Sequence, residues 1–83
     1  MPIHELINRI RWDNEFAKGR FEIGYFDRVE DKVILVSFND IFFPEQDHFS
    51  FQVVDAEGEV HSIPFHRVRQ VFRNGELIWE RMA

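Results

Sequence analysis

The sequence predicts an α+β domain: one N-terminal helix packed on a bent, mostly antiparallel sheet of five to six strands, with an open barrel as the close variant. Three observations predict it. Apolar residues recur at helical spacing only at the start, as Ile3, Leu6, Ile7 and Ile10. From Phe21 onward they alternate, or run in short blocks bounded by Gly, Pro, Asn or Asp, as strands do. Between the last two blocks stands Asn74-Gly75, the strongest short hairpin signal a sequence can carry.

The helix is expected over residues 3–12, with Glu5, Asn8, Arg9 and Arg11 on its polar face and Pro2 suited to the first turn. Asp13, Asn14 and Gly19 mark the exit and a connecting loop. Phe21-Glu22-Ile23-Gly24-Tyr25-Phe26 reads as a strand whose odd positions are apolar. Residues 33–38 read as its hairpin partner, apolar on both faces and so expected to be central or covered. The segment Asn39-Asp40-Ile41-Phe42-Phe43-Pro44 suits one short helical turn stopped by the proline. Phe49-Ser50-Phe51-Gln52-Val53 alternates, Asp55 to Gly58 supplies a turn, and residues 59–63 return. Pro64 cannot donate to a ladder and belongs at a strand boundary or bend.

A type I′ turn at Asn74-Gly75 sets the last register. Arg73 faces Glu76, Phe72 faces Leu77, Val71 faces Ile78, Gln70 faces Trp79 and Arg69 faces Glu80. Val68, Phe72, Leu77 and Trp79 then share a core-like face, while Arg69–Glu80 and Arg73–Glu76 form opposite-charge pairs on the other.

The 83 residues make one small domain without internal repeat or linker, and ten Phe, two Trp and one Tyr can fill its core. No cysteine is present, which excludes disulfides, thiolate metal sites and a Cys nucleophile. The four histidines show no ligand spacing, so neither a metal nor another cofactor is expected. No apolar run approaches the ~18 residues of a membrane span, and no signal-peptide pattern opens the chain; a soluble, cytoplasmic protein with no membrane role is expected. The net charge is −5, and residues 33–65 hold six acids and no Lys or Arg. Such a chain is a poor coat for a long phosphate backbone, whose affinity comes from displacing counterions at many positions. It can still bind one or two phosphates locally.

The basic residues for that concentrate after Pro64, where His66, Arg67, Arg69 and Arg73 fall within eight residues. Arg69 and Arg73 have facing glutamates, whereas Arg67 has none and is the better anion ligand. An unbroken strand would aim His66 at the core, but a bend at Pro64 would swing it to the rim. Asp27 either starts the turn after its strand or orients an arginine or His66, with Arg28 facing solvent. Trp12 and the phenylalanines read first as core. No nucleophile elbow, phosphate-binding glycine loop or paired His-x-Ser/Thr motif is present, so a binding module is expected rather than an enzyme.

Four blocks together carry a resemblance: Leu6-Ile7-Asn8-Arg9-Ile10-Arg11-Trp12-Asp13, Ile23-Gly24-Tyr25-Phe26-Asp27-Arg28, Ile63-Pro64-Phe65-His66-Arg67-Val68, and Arg73-Asn74-Gly75-Glu76-Leu77-Ile78-Trp79-Glu80-Arg81. In that order they resemble the RNA cyclic-group-end recognition domain family, over essentially the whole chain. The resemblance implies non-catalytic binding of RNA ends that carry a 2′,3′-cyclic phosphate. It implies a polar site of Asp27, Arg28, His66 and Arg67, with Tyr25 and Trp12 as stacking partners; Arg69, of the same strand parity as Arg67, is a further phosphate-binding candidate from the residues themselves. The rival expectation is a protein-interaction module that uses Phe42, Phe43 and Phe49 of the acidic middle. A phosphoesterase with His66 as general acid or base is the third class.

Overall fold

A computed structural model describes residues 2–81 of the chain. Helix α1 spans Ile3–Trp12 and buries Ile3, Leu6, Ile7 and Ile10, the stripe the spacing predicts. Pro2 stands just outside it, and its carbonyl accepts from the Glu5 and Leu6 N–H groups. Strands follow as β1 (Phe21–Asp27), β2 (Lys32–Ser37), β3 (Ile41–Phe42), β4 (Ser50–Val54), β5 (Val60–Pro64), β6 (Val68–Arg73) and β7 (Glu76–Glu80). The expected α+β class holds, but among the described residues the antiparallel strands number seven and divide between two open sheets, ordered β2-β1-β6-β7 and β3-β4-β5.

The core lies where the helix and both sheets meet. Phe51, Ile7, Ile23, Val68 and Val71 are fully buried there, each contributing roughly 1.5–3 kcal/mol through lost apolar exposure. A chain of ring contacts runs through it, from Phe16 by way of Phe21, Phe38, Phe43, Phe65 and Phe51 to Tyr25, with centroids 5.5–6.5 Å apart. It ties one sheet to the other and ends at a residue of the cleft described below.

Several expectations are corrected. Strand β2 is an edge, not a central strand, and leaves Val33 and Leu35 exposed. The turn before β3 is a 3₁₀ turn at Phe38–Asp40, begun by the Ser37 hydroxyl accepting from Asn39 N–H; it ends well before Pro44. Trp12 is 72% exposed rather than core, with the Arg11 guanidinium 4.7 Å from its ring.

The last hairpin does turn at Asn74 and Gly75, with φ of 52° and 82°, and Arg73 faces Glu76 as expected. Beyond Leu77 the register slips: Val71 faces Trp79 and Gln70 faces Glu80, which leaves Ile78 as a bulge. A second bulge at Arg69 separates the Gly24–Gln70 and Tyr25–Val68 pairs. Each extra residue flips the side chains beyond it. Val68 and Val71 are therefore both buried although three apart, while Phe72 and Leu77 leave the core face. The arginines do not pair with the facing glutamates. Arg73 donates to the Lys18 carbonyl at 3.2 and 2.9 Å. Arg69 donates to the His66 carbonyl at 3.0 Å, and Gln70 takes Glu80.

Candidate functional site

Pro64 ends β5 in extended conformation, and a 3₁₀ turn, Phe65–Arg67, carries the chain from one sheet to the other. The turn sends Phe65 into the core and His66 out to solvent. Arg67 is left half-buried at the seam. Two guanidiniums hold the turn: Arg69 and Arg81 both donate to the His66 carbonyl, at 3.0 and 2.7 Å. Arg69 thus positions the turn that bears Arg67, and it also lies 5.8 Å from the Phe26 ring.

Beside the seam is a cleft of about 630 Å³ between the β1–β2 hairpin of one sheet and the β4–β5 hairpin of the other. That volume lies in the range of small-molecule sites, roughly 300–1,000 Å³. Tyr25, Asp27, Arg28 and Arg67 all line it, together with an aliphatic wall that includes Leu35, Val36, Val53 and Ile63. Four of the residues expected in the site are therefore together. His66, Arg69 and Trp12 are not among the lining; Trp12 borders a separate 440 Å³ hollow with Arg11 and Phe43.

The two guanidiniums of this cleft are free. Neither Arg28 nor Arg67 has a hydrogen bond or ion pair with another described residue. Arg67 Nε is buried without any partner. A buried donor left unpaired costs roughly 1–3 kcal/mol or more, so such atoms are rare and ask for a ligand. Tyr25 packs edge-on against Phe51, centroids 5.9 Å apart. Burial, then the Asp27 charge, pushes its phenol above the usual pKa of 10.0, so it stays a donor at neutral pH. Asp27 pairs with neither an arginine nor His66. Its Oδ1 accepts from Val29 and Glu30 N–H, at 2.8 and 3.3 Å, and so shapes the turn that presents Arg28.

One cleft residue escaped the sequence reading. His61 on β5 lines the wall opposite Tyr25, with its Nε2 2.7 Å from Asp55 Oδ2. The hydrogen bond to Asp55 lifts its pKa above 6.5, and the Asp27 charge acts in the same sense. A signal was available: a turn pairing Val54 with Val60 places His61 diagonally across from Asp55. Among the described residues, Asp55, Glu59 and His61 are the one group with metal-ligand atoms close together, within 4.8 Å. The imidazole and Asp55 Oδ2 already satisfy each other, and Oδ1 accepts from Glu57 and Glu59 N–H at 2.9 Å, so the group acts as a hairpin clasp.

A family model described as the MJ1316 RNA cyclic group end recognition domain matches residues 1–81. The chain belongs to this family. No curated protein and no solved structure matches it. Within this RNA cyclic group end recognition domain, the cleft joins two of the four sequence blocks that carry the resemblance expected above: Tyr25, Asp27 and Arg28 from the second, and Ile63 and Arg67 from the third, with Trp12 of the first elsewhere. Among the described residues no helix is long and apolar enough to cross a membrane.

Proposed function

We propose that the cleft between the two sheets binds the terminus of an RNA bearing a 2′,3′-cyclic phosphate, and that it binds without catalysis. The observation that carries this reading is Arg67, a guanidinium with a buried, unpartnered Nε, opening onto a cleft shared with a second free guanidinium at Arg28. A cyclic phosphodiester bears one negative charge, so one or two cations and a neutral donor match it. Arg67 and Arg28 supply the cations, and the Tyr25 phenol supplies the donor. The aliphatic wall takes the ribose and base edge. His66, exposed on the same turn as Arg67, stands ready for the next phosphate of the strand.

Each charge-assisted hydrogen bond contributes about 1.5–3 kcal/mol. Two of them give usable affinity without a basic surface, which suits a chain of net charge −5. The test is a fluorescence-anisotropy titration of one short oligonucleotide with three ends. The 2′,3′-cyclic phosphate is expected to bind more tightly than the 3′-hydroxyl and the 3′-phosphate, with the oligonucleotide recovered uncleaved. Equal affinity for all three ends, or none, overturns the reading.

A protein-partner role through Phe42, Phe43 and Phe49 is the second reading, favoured by Phe42 at 56% and Phe49 at 77% exposure. Light scattering tests its self-association form: a mass that rises with concentration, and that falls to the monomer in Phe49→Ser, supports it. A monomer at every concentration counts against it.

A further inference from the structure

We propose that His61 is a second phosphate-contacting residue, held in place by Asp55, so that the RNA end is gripped from both sheets rather than from one. The inference rests on the reading of the cleft as an RNA-end site and adds to it a residue from the opposite wall. Arg67, Arg28 and Tyr25 all stand on the four-stranded sheet or its connections; His61 belongs to β5 of the three-stranded one.

The geometry leaves His61 one thing to offer. Its Nε2 is committed to Asp55 Oδ2 at 2.7 Å, so Nδ1 is the ring nitrogen left for a ligand. Asp55 is itself fixed, because its Oδ1 accepts from two backbone N–H groups of the β4–β5 turn. A neutral imidazole donating through Nε2 has Nδ1 as an acceptor, which repels a phosphate oxygen. The imidazolium donates through both nitrogens, and its Nδ1–H then suits an anion. The charged and titratable groups around the ring are Asp55 and Glu59 on its own hairpin and Asp27 across the cleft, with Arg28, Glu30, Tyr25 and Arg67 on the remaining walls. Acidic neighbours dominate the immediate surroundings and favour the charged ring. Asp55 is a positioning residue here, since it acts through His61.

The experiment measures affinity for the cyclic-phosphate oligonucleotide from pH 5.5 to 8.5, in EDTA, for the native chain, His61→Gln and Asp55→Asn. The native chain is expected to lose affinity, about tenfold, as one proton leaves. His61→Gln is expected to bind at the weaker level, with a smaller drop across the same pH range. Asp55→Asn is expected to keep the drop but move its midpoint to lower pH. Thermal melts establish that both variants fold, as an exposed hairpin residue leads one to expect. If the native chain binds the cyclic end and His61→Gln reproduces its affinity and its pH profile, this inference fails while the RNA-end reading stands. If the native chain shows no preference for the cyclic end at any pH, both fail.

Discussion

Arg67 is the side chain on which both the stability and the binding of this domain make opposite demands. Its Nε is buried with no partner, a cost that the ligand-free fold carries and that a bound phosphate would relieve. Replacing Arg67 with Met keeps most of the apolar stem and removes the orphan donor. Thermal denaturation is expected to show an unchanged or raised Tm for Arg67→Met, while affinity for the cyclic-phosphate end falls roughly ten- to a hundredfold, the worth of one charge-assisted bond. A variant that loses stability and keeps its affinity contradicts this. The Asp55–His61 pair gives a second prediction at this scale. His61 titrates above its ordinary 6.5, so its stabilising contribution is complete below that pH and is lost as pH rises through the raised value. Asp55 titrates below its ordinary 3.8, chiefly through its bond to His61, so its contribution is present above that pH and is lost as pH falls through the lowered value. The Tm advantage of the native chain over Asp55→Asn is therefore expected between about pH 4 and 6.5, shrinking above and below, as melts across pH would show. Sequence alone flagged Arg67 because no carboxylate could be assigned to it, and among the described residues Arg67 forms no ion pair, although Arg69 and Arg73 do not take their facing glutamates either. It could not see that Arg69 and Arg81 would spend their donors on the His66 carbonyl, since main-chain acceptors have no sequence signature.

Elements with strong periodicity or strong turn chemistry were legible. The helix stripe, the β1 face of Phe21, Ile23 and Tyr25, and the Asn74-Gly75 turn all stand where spacing put them. What escaped was each bulge. An extra residue at Arg69 or Ile78 is fixed by how β6 meets β1 and β7, and nothing in Val68-Arg69-Gln70 marks it. Likewise β2 reads as covered because it is apolar on both faces, yet its outer face is open to solvent beside Gly24. A Cβ at Gly24 would come within 3.0 Å of Val33 and 3.2 Å of Gln70, so the small residue lets the β2 and β6 side chains close over it. The final turn makes the element-scale prediction. Asn74 combines a positive φ with a 2.9 Å bond from Arg20 N–H to its Oδ1. Asn74→Ala loses both and is expected to cost about 1–2 kcal/mol. For a domain of this size that corresponds to a Tm roughly 4–16 °C lower in a thermal melt.

At the scale of the whole molecule, two sheets share one aromatic core and face each other across one cleft. A ligand that touches both walls must stabilise the fold, since it binds only the native arrangement. Oligonucleotide with a cyclic end, at a hundred times its Kd, is expected to add about 2.7 kcal/mol, visible as a higher Tm that the 3′-hydroxyl form does not match. On the RNA-end reading, the acidic middle segment is expected to limit how far along the strand contact extends. With about two phosphates neutralised, log K should fall with log salt at a slope near −1.4, far shallower than for a protein that tracks a backbone. A much steeper slope in salt titrations would mean that the basic residues outside the cleft carry the binding.

The central claim is that the RNA end meets Arg67 between the sheets, and the side-chain Nε–H resonance of Arg67 reports on that contact directly. In a ¹⁵N-labelled sample titrated with cyclic-phosphate oligonucleotide, that resonance is expected to move downfield as its first hydrogen bond forms, together with the amides of Tyr25, Arg28 and His61. An unmoved Arg67 Nε–H, with the shifts gathered instead around Trp12, Phe42 and Phe49, would contradict it.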